Sequence, residues 1–349
     1  MEKRAYINFL QRLLQVVQKE DAKPLDEVLK QNKNFLNSDG IPAMQDFLNG
    51  QLKENPKQKS NLFANLIKIG TQIRDLSSGD SEENQNIAIF LCNFVLQNQK
   101  EYTQLWAEAQ FELGKVYLLR MQQEKVKGDQ EQALTAFGKA LEFYENNNFP
   151  ENLIKVKINL GIFNNLIFNT FHVENNLKKA FSLYQEAEEL ATFHNFIELL
   201  VRAKINLGIA YQSTSNTFHT PNNSQKAINL CQEAAEMASF HNFIELFTKA
   251  QLNLGVAYWS YQQGDRAQNL EQAIDAYQKI CQFSTEIPIQ TWARTQNDLG
   301  NAYQERIQGE KAQNLEEAIA CYQQALQVYT RDALPQEWAM TQNNLGLAY

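Results

Sequence analysis

Between Trp292 and Leu334 the apolar positions recur at helical spacing twice in succession. In TWARTQNDLGNAYQERI, Trp292, Leu299, Gly300 and Tyr303 fall on one side of a helix. After a short GEKAQN connector, LEEAIACYQQALQVY places Ala318, Tyr322 and Ala325 at i, i+4 and i+7. The pattern predicts two antiparallel helices. Gly300 and Ala318 let them approach closely, and the large Trp292, Tyr303 and Tyr322 fill the space between successive pairs.

The same phrase returns along the chain as ELGKVY, NLGIFN, NLGIAY, NLGVAY, DLGNAY and NLGLAY. Its glycines are Gly114, Gly161, Gly208, Gly255, Gly300 and Gly346, at intervals of 47, 47, 47, 45 and 46 residues. Repetition at a period of this size marks a solenoid, in which each unit buries its apolar face only against its neighbours. A glycine inside a helix costs about 1 kcal/mol against alanine, so its return in every unit predicts a steric need for close helix packing. A divergent earlier unit carries Gly70 in NLFANLIKIGTQI, with Ala88 following and Cys92 in the aromatic slot. The count is therefore six full units from about Asn61 and a seventh first helix.

The expected organisation is a helical cap over 1–58 and a solenoid over 59–349. The cap holds two or three helices, interrupted at Pro24, at Asp39-Gly40-Ile41-Pro42 and at Pro56. The chain stops at Tyr349 inside its seventh unit, with no second helix to cover the end. Arrays normally end in a polar cap, so a longer native protein is expected.

The unit resembles the tetratricopeptide repeat: a Leu-Gly pair with a Tyr three residues later, then Ala, an aromatic and Ala in the second helix. The likeness covers Trp106–Tyr349, about two thirds of the chain. It departs from that repeat in its longer period. It also has a bulky residue eight positions before each glycine: Trp106, Leu153, Leu200, Phe247, Trp292 and Trp338. The resemblance implies an all-α fold, a right-handed α-solenoid of antiparallel helix pairs, with first helices lining a concave groove. The wording at 292–349, WAMTQNNLGLAY and YQQALQVYTRDALPQ included, is similar to long-period arrays of cyanobacteria. Many of those precede a caspase-like protease domain of the CHAT type, which implies a sensor or regulatory role for the array.

Net charge is −8, which disfavours nonspecific attraction to nucleic acid or an anionic membrane. No stretch approaches a membrane span, and Asn8, Gln11, Arg12 and Gln15 break the first apolar run into an amphipathic helix. Cys92, Cys231, Cys281 and Cys321 lack metal-ligand spacing and read as buried free thiols of a cytoplasmic protein.

Counting back from the glycine exposes two polar rows. Six residues before it stand Lys155, Arg202, Lys249 and Arg294; two before it stand Asn159, Asn206, Asn253, Asp298 and Asn344. The rows are one helical turn apart and form a single stripe on the first helices. Asn offers donor and acceptor to an extended backbone, and Lys or Arg matches a carboxylate. Lys155, Asn159, Arg202, Asn206, Lys249, Asn253, Arg294, Asn297 and Asp298 are the candidate binding residues, for a peptide or partner domain with acidic or C-terminal carboxylate groups. Asp298, and Glu112 earlier, interrupt the Asn row and read as its ends.

His194 and His241 repeat in FHNFIEL, and His172 and His219 in NTFH; displaced by a unit each, they read as structural residues at helix junctions. Phe171 and Phe218, in the connectors NNLIFNTFHVENN and QSTSNTFHTPNN, are expected to fold back on their own helices. Glu188-Glu189 and Glu316-Glu317 read as solvated pairs. There is no phosphate loop, nucleophile signature or metal cluster, so no enzyme activity and no cofactor are expected. The competing readings are a nucleic-acid-binding helical repeat, in which the cations follow phosphates, and a purely structural spacer.

Overall fold

The computed structural model describes every residue except 1, 19–21, 77–80, 100, 125–126 and 219–220. At 2, 22–24, 124, 127, 215–218 and 221 it describes the backbone alone. Among the described residues 85% are helical and none is in a strand. Three N-terminal helices, α1 (Glu2–Val17), α2 (Ala22–Gln31) and α3 (Ile41–Glu54), precede the repeats. The first helices of the units are α4 (Lys59–Arg74), α6 (Gln104–Glu124), α8 (Pro150–Phe171), α10 (Ile197–Phe218), α12 (Ile244–Ser260), α14 (Ile289–Glu305) and α16 (Pro335–Ala348). The second helices are α5 (Ser81–Asn98), α7 (Lys127–Asn146), α9 (Glu174–Phe193), α11 (Pro221–Phe240), α13 (Arg266–Cys281) and α15 (Lys311–Leu326). From α4 to α7 and from α9 to α16 each helix packs on its sequence neighbours, the arrangement of an all-α solenoid.

The chain divides into two compact units, Met1–Phe163 and Asn164–Tyr349. In the first, α1–α5 share one core through Leu10, Leu13, Leu29, Leu48, Phe63 and Leu91. Beside it Arg74, on α4, forms a buried ion pair with Glu112 on α6. Burial disfavours the Arg74 charge, but Asp75 and Glu112 outweigh it and raise its pKa. Glu112 is also 3.0 Å from Lys115. Glu112 is therefore a buried structural residue and not the exposed end of a binding row.

The recurring glycine is explained by the residue opposite. A Cβ on Gly114 would stand 2.6 Å from the Phe137 ring, one on Gly300 2.6 Å from Tyr322, and one on Gly208 2.8 Å from Cys231 Sγ. Gly255 faces Tyr277 in the same way. Tyr322 therefore fills its own unit and not the space between units, correcting the expectation for that residue. Tyr303 does bridge units, accepting a 2.8 Å bond from Gln278 on the preceding second helix.

The turns from second to first helix are closed by asparagine in the left-handed conformation: Asn148, Asn195 and Asn242, with φ of 59°, 56° and 56°. The next residue bonds back across the turn, as in Phe196 N–H to Ala191 O and Phe243 N–H to Ala238 O, both 2.9 Å. This is the Schellman closure, and the duplicated FHNF encodes it. In the opposite turns, from first to second helix, the last units use Gly264 and Gly309, at φ 75° and 82°. There Asn269 and Asn314 donate to the Gln263 and Gln308 carbonyls at 2.8 Å.

The supposed long connectors are largely helix. NNLIFNTF completes α8 and QSTSNTF completes α10, so those units lengthen their helices and not their loops. Their polar residues still find helical partners: Ser213 and Thr214 donate to the carbonyls of Ile209 and Ala210. Phe171 is 61% exposed and does not fold back. The side chain of Phe218 and all of His219 lie outside the described residues.

Candidate functional site

The stripe begins with helix register. On each first helix the cation and the Asn are four apart, hence on one face. In the first unit this gives Lys155 and Asn159 on α8. In the second it gives Arg202 and Asn206 on α10, Lys249 and Asn253 on α12, and Arg294, Asn297 and Asp298 on α14. Within the second unit α10 touches α12, α12 touches α14 and α14 touches α16, so these rungs are brought to successive, contacting helices.

Each cation already holds a carboxylate. Lys155 Nζ is 2.6 Å from Glu151, Arg202 Nη2 2.8 Å from Glu198 and Lys249 Nζ 2.7 Å from Glu245, each one turn earlier. Arg294 reaches forward to Asp298 at 3.7 Å. The expected basic ladder is thus a charge-balanced row of exposed i,i+4 pairs, each worth about 0.3–0.5 kcal/mol. The acidic row ten residues before the glycine, Glu151, Glu198 and Glu245, was legible in the sequence and gives the stripe its neutrality.

Adjacent rungs sense one another. The Glu245 carboxyl is held below its usual range, first by its hydrogen bond from Lys249, against some desolvation, and further by the charges of Lys249 and Arg202 on the neighbouring helix. Asp298 shifts the other way: burial raises its pKa, partly opposed by Arg294 and by the bond from Asn297.

The asparagines are half committed. Asn159, Asn206 and Asn253 donate to the carbonyls of Lys155, Arg202 and Lys249 at 2.8, 2.8 and 2.7 Å. These bonds orient the amides and leave acceptor capacity on the stripe face. Asn297 instead accepts from Thr341 at 3.1 Å and Asn344 at 3.4 Å on α16. Asn344 also donates to Asn301 at 3.1 Å, which lies 2.8 Å from the Tyr322 hydroxyl.

A second polar row lies four residues before the glycine and was not singled out from the sequence. Lys157 is buried and 3.4 Å from Glu145. Lys204 spans Glu188 on α9 and Glu233 on α11, both at 2.8 Å. Glu188 is thus tied into an ion triad and is not simply solvated. Burial lowers the Lys204 pKa, but its bonds to Glu188 and Glu233 outweigh it and raise it.

His194 and His241 stack on Phe196 and Phe243, with interplanar angles of 21° and 18°. Among the described residues no group of three His, Cys, Asp or Glu is placed to hold a metal, and no helix is long and apolar enough to cross a membrane. Cys92, Cys231 and Cys321 are buried and Cys281 half-buried. Desolvation pushes the Cys92 and Cys231 thiols up to about 12, which suppresses their reactive thiolate.

The repeated helix pairs coincide with the segments that a family comparison matches. The Sel1 repeat profile matches residues 107–135, 169–191, 201–239, 248–282 and 293–327. Over those segments the chain is similar to Sel1 repeats. No curated protein sequence matches it. Among solved structures, the chain is similar to the apo form of RapI, at 13% identity and TM-score 0.55, over 100% of this chain and 97% of that one. It is also similar to a Rap protein complexed with competence and sporulation factor, at 14% identity and TM-score 0.51, over 99% and 97%. Yeast Tom70 matches at 15% identity and TM-score 0.51, over 92% of this chain and 59% of Tom70. At these identities the likeness establishes the helical-repeat fold alone.

Proposed function

We propose that this chain is a protein-interaction scaffold whose first-helix stripe takes up an extended peptide or partner segment rich in carboxylates. The observation that carries the reading is the arrangement at Arg202, Glu245 and Lys249. Two exposed cations on contacting helices act on one carboxylate, the geometry a partner carboxylate would exploit by displacing the glutamate. Asn206 and Asn253, fixed by their own carbonyl bonds, present acceptors to the N–H groups of an extended backbone. Solenoids bind partners along such repeated faces, and a Rap protein of similar fold is complexed with competence and sporulation factor.

The binding residues are Lys155, Asn159, Arg202, Asn206, Lys249, Asn253, Arg294, Asn297 and Asp298. The test is fluorescence anisotropy with a labelled glutamate-rich decapeptide, carrying a free C-terminus or an amide. Arg202→Glu with Lys249→Glu is expected to abolish binding while helicity by circular dichroism is unchanged. Equal affinity in this double variant overturns the stripe. Affinity for single-stranded RNA that falls steeply with salt would favour the nucleic-acid reading instead.

Residues 1–58 serve in this reading as a cap on the array over 59–349, working in the cytoplasm as the sensor part of a longer protein. The support is the likeness of 292–349 to arrays that precede caspase-like domains. Sequencing the gene past codon 349 tests the linkage.

A further inference from the structure

The row four residues before the glycine lies about 200° around the helix from the cations at minus six and the asparagines at minus two. It faces the second helices, and within a compact unit a first helix packed between two of them, as α6, α10, α12 and α14 are, floors a groove. In the groove of α9, α10 and α11 the floor residue is Lys204, tied to Glu188 and Glu233 on the walls. In the groove of α13, α14 and α15 it is Gln296, which donates to Cys281 at 3.2 Å. Both floors are satisfied by the residue one turn past the second-helix aromatic slot, Glu188 or Cys281.

Two grooves break this rule. In the second unit, between α11 and α13, the floor is Gln251 and the satisfying position is Ala235. Gln251 is 5% exposed, and its Oε1 is buried without a hydrogen-bond partner. A buried amide oxygen in that state is destabilising unless a donor arrives. In the first unit, between α5 and α7, the floor is Gln110 and the satisfying position is Leu96. The grooves enclose about 720 and 940 Å³.

Their other residues correspond position by position. An aromatic stands on the floor helix, Phe247 or Trp106, and another on the wall, Phe283 or Phe143. A lysine, Lys279 or Lys139, replaces the glutamate that Glu233 supplies in the closed groove. The wall charge is therefore inverted at the same place in both. Lys279 is 2.6 Å from Asp275, but both are half exposed and such a pair is worth under about 1 kcal/mol. Phe240, 83% exposed, stands at the rim of the second-unit groove.

From Gln232 to Phe240 the wall runs about 12 Å, the length of about four extended residues. We propose that each of these two grooves binds an extended peptide segment bearing one aromatic side chain and one carboxylate. The aromatic packs on the open side of the Phe247–Phe283 pair, whose rings meet edge to face with centroids 5.5 Å apart, the carboxylate meets Lys279, and a backbone N–H satisfies Gln251. Gln110, Lys139, Trp106 and Phe143 play the same parts in the first unit.

The test is an array of Gly/Ser decapeptides carrying Phe and Asp at every mutual spacing, with Phe-only and Asp-only controls, probed with the full chain. One spacing is expected to bind about tenfold more tightly than either control. Gln110→Leu with Gln251→Leu is expected to weaken that binding about tenfold without lowering the thermal midpoint, because an unpaired buried amide is exchanged for an apolar group. Lys139→Glu with Lys279→Glu, both surface changes, is expected to switch the preference from Asp to Lys peptides. Absence of binding at every spacing overturns the proposal, as does binding indifferent to both double variants. Arg202→Glu with Lys249→Glu is expected to leave array binding intact; its loss there would assign the peptides to the first-helix stripe and overturn the grooves.

Discussion

At the scale of the residue, a glycine inside a helix does not have one meaning in this chain. Gly300 is required because Tyr322, fully buried and 2.8 Å from Asn301 and Gln304, has no room to retreat from a Cβ. Gly346 has nothing within 4 Å, and neither does Gly138 inside α7. Gly300→Ala is therefore expected to lose stability by about 1–3 kcal/mol through overpacking, outweighing its helix-propensity gain. Gly138→Ala is expected to gain about 1 kcal/mol, since only propensity changes. Urea unfolding of the two variants beside the parent checks both signs. The phrase NLGxAY reveals that a glycine recurs. It does not reveal how tightly each copy is held, because that depends on whether Phe, Tyr or Cys lies opposite.

At the scale of the element, the first helices carry two faces, and only one was legible beforehand. The cations and asparagines were found by counting from the glycine, yet their neutralising glutamates one turn earlier were overlooked. Asp298 departs from the Asn of earlier rungs, and its burial makes its charge a liability. Its pKa is raised, chiefly by desolvation, so the penalty is present above the folded pKa and is relieved as pH falls through it. Asp298→Asn is expected to raise the thermal midpoint at neutral pH and to lose that advantage as pH falls through the raised folded pKa to the ordinary carboxylate range. A variant less stable than the parent at neutral pH would show instead that the Arg294 contact outweighs the burial cost. The opposite face, with Lys157, Lys204, Gln251 and Gln296, was hidden because Lys and Gln read as ordinary helix surface until the facing residues are known.

At the scale of the whole molecule, contacts run chiefly between neighbouring helices, so stability is a sum of local terms. Trp106 lies in the first compact unit and Trp292 and Trp338 in the second. Single-tryptophan versions reporting from Trp106 and from Trp338 are expected to unfold in urea at different midpoints, outside two-state behaviour. Coincident transitions would show an array that melts as one body.

The sequence by itself determined the all-α repeat, its period and the identity of the polar rows, because those depend on spacing along one chain and on the 3.6-residue turn. It also held the Asn195 and Asn242 turns in FHNF, although their left-handed backbone becomes visible only when helix ends are placed. Tertiary structure alone decided which polar residues are spoken for. Glu112 is buried by Arg74 on another helix, Lys204 is claimed by Glu188 and Glu233, and Gln251 is left unpaired because Ala235 occupies the place of Glu188. Satisfaction of a hydrogen bond or a charge is a property of two surfaces brought together across tens of residues, and periodicity along one of them cannot specify the other.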